Sequence, residues 1–214
     1  RKIENTKKNY FHIITHNFHA IIIHVMKGDI MRYSKLSLLE MLHIGAIIFL
    51  NLYVYTLIPP LSENMSGLGN KFQHPLYLFI WSLSIATFFL IHTKELMQSY
   101  NYPSKWGKIF LYISTILMVV CILLPYKPFQ FPLLSKWHVR LAMFATVIYI
   151  LVFLHFLCYQ TLHTFNINIS YLKFYFVFIF LELLLYILNG GVSTLLETSF
   201  ALIMSLFLLY LQHK

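Results

Sequence analysis

Three side chains in the apolar sequence have the types needed for acyl-transfer chemistry: Ser66, His138 and Glu63. A serine hydroxyl beside an imidazole forms a nucleophile and base pair, and a carboxylate can orient the imidazole. One interpretation is therefore a membrane-embedded lipid-modifying enzyme that uses His138 as acid or base, with Ser66 or Glu63 nearby. The sequence lacks the glycine pattern of a nucleophile elbow, so no catalytic residue is assigned from spacing alone.

Glu182 is the acidic residue that stands deepest in an apolar run. It precedes Asn189 by seven residues, which at helical rise corresponds to roughly 10 Å of depth. Because an isolated carboxylate there costs about 2.5 to 3.5 kcal/mol, it should be protonated or paired, and Arg140 is the predicted partner. The pair is either structural or a proton or ligand site. With His43, His92 and His155, the second option describes a small transporter or an accessory subunit of one.

Several polar residues are predicted to lie on the outer side of the membrane, where they have two interpretations. The segment from Pro59 to His74 is rich in Ser, Asn and Gly, which suits a simple connecting loop. The alternative, which we favour, is a non-enzymatic protein whose extracytoplasmic polar face binds a lipid or a small ligand. The residues predicted for that face are Ser62, Ser66, Asn70, His138, Arg140 and Glu182. No cofactor or metal site is predicted.

The composition explains why these residues must be positioned by membrane helices. The chain of 214 residues is 59% hydrophobic and 11% charged, which lies outside the range of soluble globular proteins. We attribute its net charge of +9 to Lys and Arg residues at helix ends, where they set the membrane topology. The predicted partners are therefore membrane lipids and not nucleic acid. Cys121 and Cys158 fall in apolar runs, where a thiol behaves as a small hydrophobe.

Six apolar runs are long enough as helices to cross a hydrocarbon core of about 30 Å, so an all-α bundle of six transmembrane helices is predicted. Pro75 is expected in the first turn of span two, Ser135 and Ser170 as caps of spans four and five, and Thr194 with Glu197 as a capping box. Asn189-Gly190-Gly191 predicts a tight turn. The six runs are 42–58, 75–93, 109–124, 138–159, 171–188 and 194–211.

The distribution of basic residues predicts that both termini are cytoplasmic. Counted from residue 31 onward, that orientation places seven Lys and Arg residues on the inner side and four on the outer side. The outer four are Lys71, Lys127, Lys136 and Arg140. The predicted location is therefore the cytoplasmic membrane of a bacterium, in a multi-pass arrangement.

The first thirty residues differ from the rest, with four histidines and no run of spanning length. Lys27-Gly28-Asp29-Ile30-Met31 can be encoded by a ribosome-binding site followed by a start codon, so we expect native translation to begin at Met31. Residues 1–30 would then be translated upstream DNA, and 31–214 the transmembrane domain. The alternatives are a disordered tail, an amphipathic surface helix and a metal site at His12, His16 and His19.

Two short motifs point to a family. Ser66-Gly67-Leu68-Gly69-Asn70 follows span one, and Leu124-Pro125-Tyr126 with His138 links spans three and four. Together they resemble the DUF998 family, small bacterial membrane proteins of unknown function that look like six-helix bundles. The resemblance covers roughly Met41 to Leu157 and implies a fold and a start near span one. It supplies no reaction, substrate or catalytic residue.

Overall fold

The computed structural model describes residues 36–214, of which Leu38–Gln212 form one compact unit. The expected start at Met31 and the residues before it lie outside the described residues. Within residues 36–214 the secondary structure is helical, without strands. The helices are α1 (Leu38–Leu57), α2 (Met65–Asn70), α3 (Pro75–Ser99), α4 (Lys105–Leu123), α5 (Pro132–Leu162), α6 (Ile169–Asn189) and α7 (Thr194–Gln212).

Six of these helices, all except α2, are long and apolar enough to cross a membrane. They coincide with the six predicted runs, so the predicted fold class is confirmed. The observed helices α3 and α5 extend beyond the apolar runs, to 25 and 31 residues. Large apolar side chains that would be costly in water are exposed on their outer faces, for example Phe180, Leu183 and Ile187 on α6. Such a surface fits a hydrocarbon solvent.

The interior of the bundle is a set of packed aromatic rings from α3, α5, α6 and α7. The rings of Phe89 and Tyr149 stack at 4.8 Å between centroids, and Phe153 packs edge-on to Phe207 at 6.0 Å. The Tyr149 hydroxyl lies 2.9 Å from Thr93 Oγ1, so its polar atom is satisfied inside the apolar core. These contacts fix α5 against both α3 and α7.

The helix ends confirm two of the predicted signals and correct two. Pro75 lies in the first turn of α3, and Gly190 takes φ +71° in the turn that ends α6. The predicted caps were wrong. Asn168, not Ser170, caps α6, and its side chain accepts a hydrogen bond from Ser170 N. Helix α5 begins earlier than predicted, after Phe131, because Pro132 suits a first turn.

Ser135 therefore lies inside α5 and not at its end. It is buried there, and its Oγ has no hydrogen-bond partner among the described residues.

The segment from Pro59 to His74, predicted as a connecting loop, also differs from the prediction because it contains α2. The Asn64 side chain caps α2 by accepting from Gly67 N at 2.8 Å. This short helix decides where Ser66 lies.

Candidate functional site

Three connections meet at one end of the bundle, which we call the α2 end: residues 58–74, 124–131 and 190–193. The backbone N–H of Thr194 and its hydroxyl both donate to Glu63 O, at 2.7 and 2.9 Å. Leu195 N donates to Pro60 O at 2.9 Å. The start of α7 is thus bonded to the segment between α1 and α2, because its first N–H groups have no partner within their own helix.

Glu197 docks α2 onto α7. The predicted capping box was wrong, because Glu197 Oε2 accepts from Met65 N at 2.7 Å instead of from the start of its own helix. The carboxylate supplies the acceptor that the first turn of α2 needs. This role could not be predicted from the local sequence, because a Glu three residues after a Thr is also typical of a capping box.

Ser66 and His138 are in contact, although they are 72 residues apart in the chain. Ser66 Oγ lies 2.8 Å from His138 Nε2, and His138 Nδ1 lies 3.0 Å from Leu124 O. A carbonyl oxygen can only accept, so Nδ1 carries the proton and Nε2 accepts from the Ser66 hydroxyl. His138 is buried, whereas Ser66 is half-buried. The contact joins α2, α5 and the end of α4.

Glu63 does not join this pair in a direct hydrogen bond. Its carboxylate forms a salt bridge with Lys71, between two side chains that remain partly exposed. The position that an orienting carboxylate takes in many nucleophile and base pairs is occupied here by the Leu124 carbonyl. Of the three residues that the sequence suggested for acyl transfer, the structure brings two together.

Three basic residues lie near His138 in the sequence, at the start of α5 and just before it. Lys127, Lys136 and Arg140 are all exposed, and within residues 36–214 none of them forms a salt bridge. The Arg140 guanidinium lies over the Trp137 ring, 5.7 Å from its centroid. Trp137 and Phe131 are exposed as well, as expected for rings at the level of lipid headgroups. The start of α5 is therefore basic and aromatic.

The predicted ion pair between Glu182 and Arg140 was wrong. Glu182 is buried and accepts from Ser199 Oγ at 3.1 Å, while Arg140 is exposed beside Trp137. In a helix, residues 137 and 140 share a side and 138 points elsewhere, so Arg140 follows Trp137 outward while His138 faces the bundle. A single hydroxyl thus replaces the expected guanidinium.

The remaining residues predicted for the polar face are spread over α2 and its approach. Ser62 is exposed before α2, and Asn70 is the last residue of α2. The six predicted residues do not form one cluster: Ser66 and His138 touch, Arg140 faces outward, and Glu182 bonds to α7 within the bundle.

Each of the three histidines that belonged to the transporter interpretation contacts a residue outside its own helix. His43 Nε2 lies 3.1 Å from Ser84 O, and His92 Nδ1 lies 2.7 Å from Gln212 Oε1. His155 Nδ1 contacts the Tyr102 hydroxyl. Burial raises the pKa of the Tyr102 phenol, which lies between α3 and α4, so this group stays protonated beside the imidazole.

Comparison with protein-family models, curated proteins and solved structures finds no match to this chain. The resemblance to the DUF998 family therefore stays an expectation. The proposal for the function therefore rests on the geometry of the α2 end.

Proposed function

We propose that this multi-pass membrane protein binds a phospholipid headgroup at its α2 end. The observation that carries the proposal is the set of exposed basic residues at the start of α5, Lys136 and Arg140, with Lys127 just before them. They have no carboxylate partner within the described residues. A lipid phosphate is the complementary charge, and a Lys or Arg near an anionic membrane surface contributes about 1 kcal/mol.

The surrounding residues favour a lipid over a free anion. Trp137, Phe131 and Leu133 are exposed around the same basic side chains, and this mixture of rings and aliphatic groups suits the boundary between headgroups and acyl chains. Ser66 is half-buried at the same end. Its hydroxyl is the neutral hydrogen-bonding group that we assign to the glycerol or ester part of the lipid.

The experiment is a lipid titration followed by native mass spectrometry of the purified full chain, with phosphatidylglycerol as the probe. The double variant Lys136→Gln/Arg140→Gln should bind phosphatidylglycerol more than tenfold more weakly, since two contacts of about 1 kcal/mol are lost. The matched control is Lys105→Gln/Lys173→Gln, which removes the same charge from exposed positions at the other end of the bundle. It should bind as wild type does.

Two results contradict the proposal. If both double variants lose affinity equally, the attraction belongs to the total charge of the protein and not to a site. If phosphatidylcholine, which has no net charge, replaces phosphatidylglycerol without loss of affinity in the wild type, the basic residues do not select the lipid. Expression at wild-type level with an unchanged helical signal shows that each variant is folded.

A further inference from the structure

We infer that Ser66 and His138 form a nucleophile and base pair that reacts with acyl esters. This inference deepens the proposed function: the substrate class would be an ester-linked acyl lipid, held at the α2 end by the basic residues of α5. It rests on a contact between two side chains and on the hydrogen bond that orients the imidazole.

The direction of the hydrogen bonds is the one that a nucleophile needs. The Leu124 carbonyl holds the His138 proton on Nδ1, which leaves the Nε2 lone pair facing the Ser66 hydroxyl at 2.8 Å. A base within hydrogen-bond reach of a hydroxyl, itself oriented by a third group, is the arrangement that activates serine. The opposite tautomer would make the imidazole a donor to Ser66 and unable to take its proton.

Ser66 is held in place by the helix that carries it. Asn64 caps α2, Glu197 accepts from the neighbouring Met65 N, and Leu68 is fully buried. At Gly69 a Cβ would lie 2.9 Å from Leu78 Cδ2, so α2 packs closely on α3 at this point. A nucleophile fixed in this way loses little freedom when its ester substrate binds.

The pair is less buried than a contact in the core of the bundle, such as Ser114 Oγ to Ala145 O, which is enclosed. Here His138 is buried but Ser66 is half-buried at the α2 end. The inference requires a lipid ester to reach the Ser66 hydroxyl from the α2 end, with His138 behind it.

The reaction has two balanced steps. Ser66 Oγ attacks the ester carbonyl carbon and its proton passes to His138 Nε2. The bond between the carbonyl carbon and the alkoxy oxygen then breaks, and the alcohol leaves with the proton from His138. An acyl-serine results. A water or a second alcohol then attacks the acyl carbon, gives its proton to His138 Nε2, and releases Ser66 with the proton restored. No oxidant, reductant or metal is required.

The test is covalent labelling of the purified full chain with a long-chain alkyl fluorophosphonate. Ser66 Oγ displaces fluoride from phosphorus, and His138 accepts the hydroxyl proton. We expect a single phosphonyl adduct on Ser66, located by peptide mass spectrometry. Ser66→Ala should abolish it, and His138→Gln should slow labelling by about 10²-fold or more, the usual contribution of a general base.

Ser135→Ala is the matched control, since it removes another hydroxyl, three residues before His138 on α5. Its labelling rate should equal that of the wild type. Because His138→Gln also removes the contact with Leu124 O that holds α5 to the end of α4, Ser66→Cys gives an independent measurement. Its thiol should be alkylated by iodoacetamide in the folded protein, and an unreactive thiol would show that the position is closed to substrate.

Failure of this inference differs from failure of the proposed function. If phosphatidylglycerol binds but no adduct forms on Ser66, the pair is a structural contact and the inference is overturned, while the binding site stands. If Ser66 is labelled but phosphatidylglycerol does not bind, the proposed lipid site is wrong and the nucleophile stands. An adduct on a different serine also overturns the inference.

Discussion

At the level of single residues, several polar side chains inside the bundle hydrogen-bond to small neutral partners and not to opposite charges, while Ser135, Thr161 and Ser205 are buried without a partner for their hydroxyls among the described residues. Glu182 accepts from Ser199, Thr93 pairs with Tyr149, and Trp81 Nε1 donates to Asn51 Oδ1 at 3.0 Å. Hydroxyl and amide partners suit the low-dielectric interior, because they bring no second charge that must be desolvated. The sequence shows which residues are polar but not which neighbours they meet.

A double-mutant cycle on Glu182 and Ser199 tests this arrangement. We expect Glu182→Leu, Ser199→Ala and the double variant to give a coupling energy of about 0.6 to 1.7 kcal/mol, the range for hydrogen bonds between membrane helices. Unfolding of the purified protein in mixed micelles, followed by its helical signal, measures it. The same cycle on Glu182 and Arg140 should give no coupling. The reverse result would restore the ion pair that the sequence suggested.

At the scale of elements, the positions of the long helices could be predicted, whereas several of their ends could not. Apolar runs of spanning length locate the six helices because the hydrocarbon core fixes their length and requires internal hydrogen bonds. The caps failed where two residues compete locally, as Asn168 and Ser170 do. Helix α2 escaped prediction because it is six residues long and is stabilised by Glu197, far away in sequence.

The same distinction applies to the candidate site. Ser66 and His138 could be named from their chemistry, but their contact depends on α2 folding across the end of α5. Arg140 was assigned to Glu182 because it was expected to enter from the same side of the membrane on an adjacent span, with a side chain long enough to reach inward. Its actual direction follows from its place on the α5 surface, which depends on where that helix begins and how it is rotated.

The packing of α4 gives a prediction at the same scale. Gly107 lies against the ring of Tyr102, and an added Cβ would come within 2.6 Å of the Tyr102 hydroxyl oxygen. The ring cannot move aside easily, since it is buried, bonded to His155 and packed edge-on to Phe156. Gly107→Ala should therefore destabilise the protein by about 1 to 3 kcal/mol in detergent unfolding.

The matched control is Gly45→Ala on α1. Nothing lies within 4 Å of its added Cβ, and alanine is the better helix former by up to about 1 kcal/mol. This variant should be neutral or more stable. If Gly107→Ala and Gly45→Ala behave alike, the contact between α4 and Tyr102 does not constrain the bundle.

At the scale of the whole molecule, the α2 end is distinguished from the opposite end by its chemistry. It carries α2, the Ser66 and His138 contact, and the bonds from Thr194 and Leu195 to the segment before α2. The opposite end is connected by the shorter segments 100–104 and 163–168. Which side of the membrane each end faces determines whether the proposed lipid site meets the outer or the inner leaflet.

The distribution of Lys and Arg, seven against four, predicts that the α2 end is extracytoplasmic. Labelling of single introduced cysteines tests this orientation directly, after the native Cys121 and Cys158 have been replaced by alanine. Phe129→Cys lies in the connection between α4 and α5 at the α2 end, where Phe129 is fully exposed. His163→Cys lies at the opposite end, directly after α5, where His163 is also exposed.

In intact bacterial cells, a membrane-impermeant maleimide should label Phe129→Cys at once and His163→Cys only after the membrane has been permeabilised. Both positions are exposed, so a difference in labelling reports the side of the membrane and not burial. The reverse pattern would place the α2 end in the cytoplasm. The positive charges near Arg140 would then face the inner leaflet, whose anionic lipids they would meet directly.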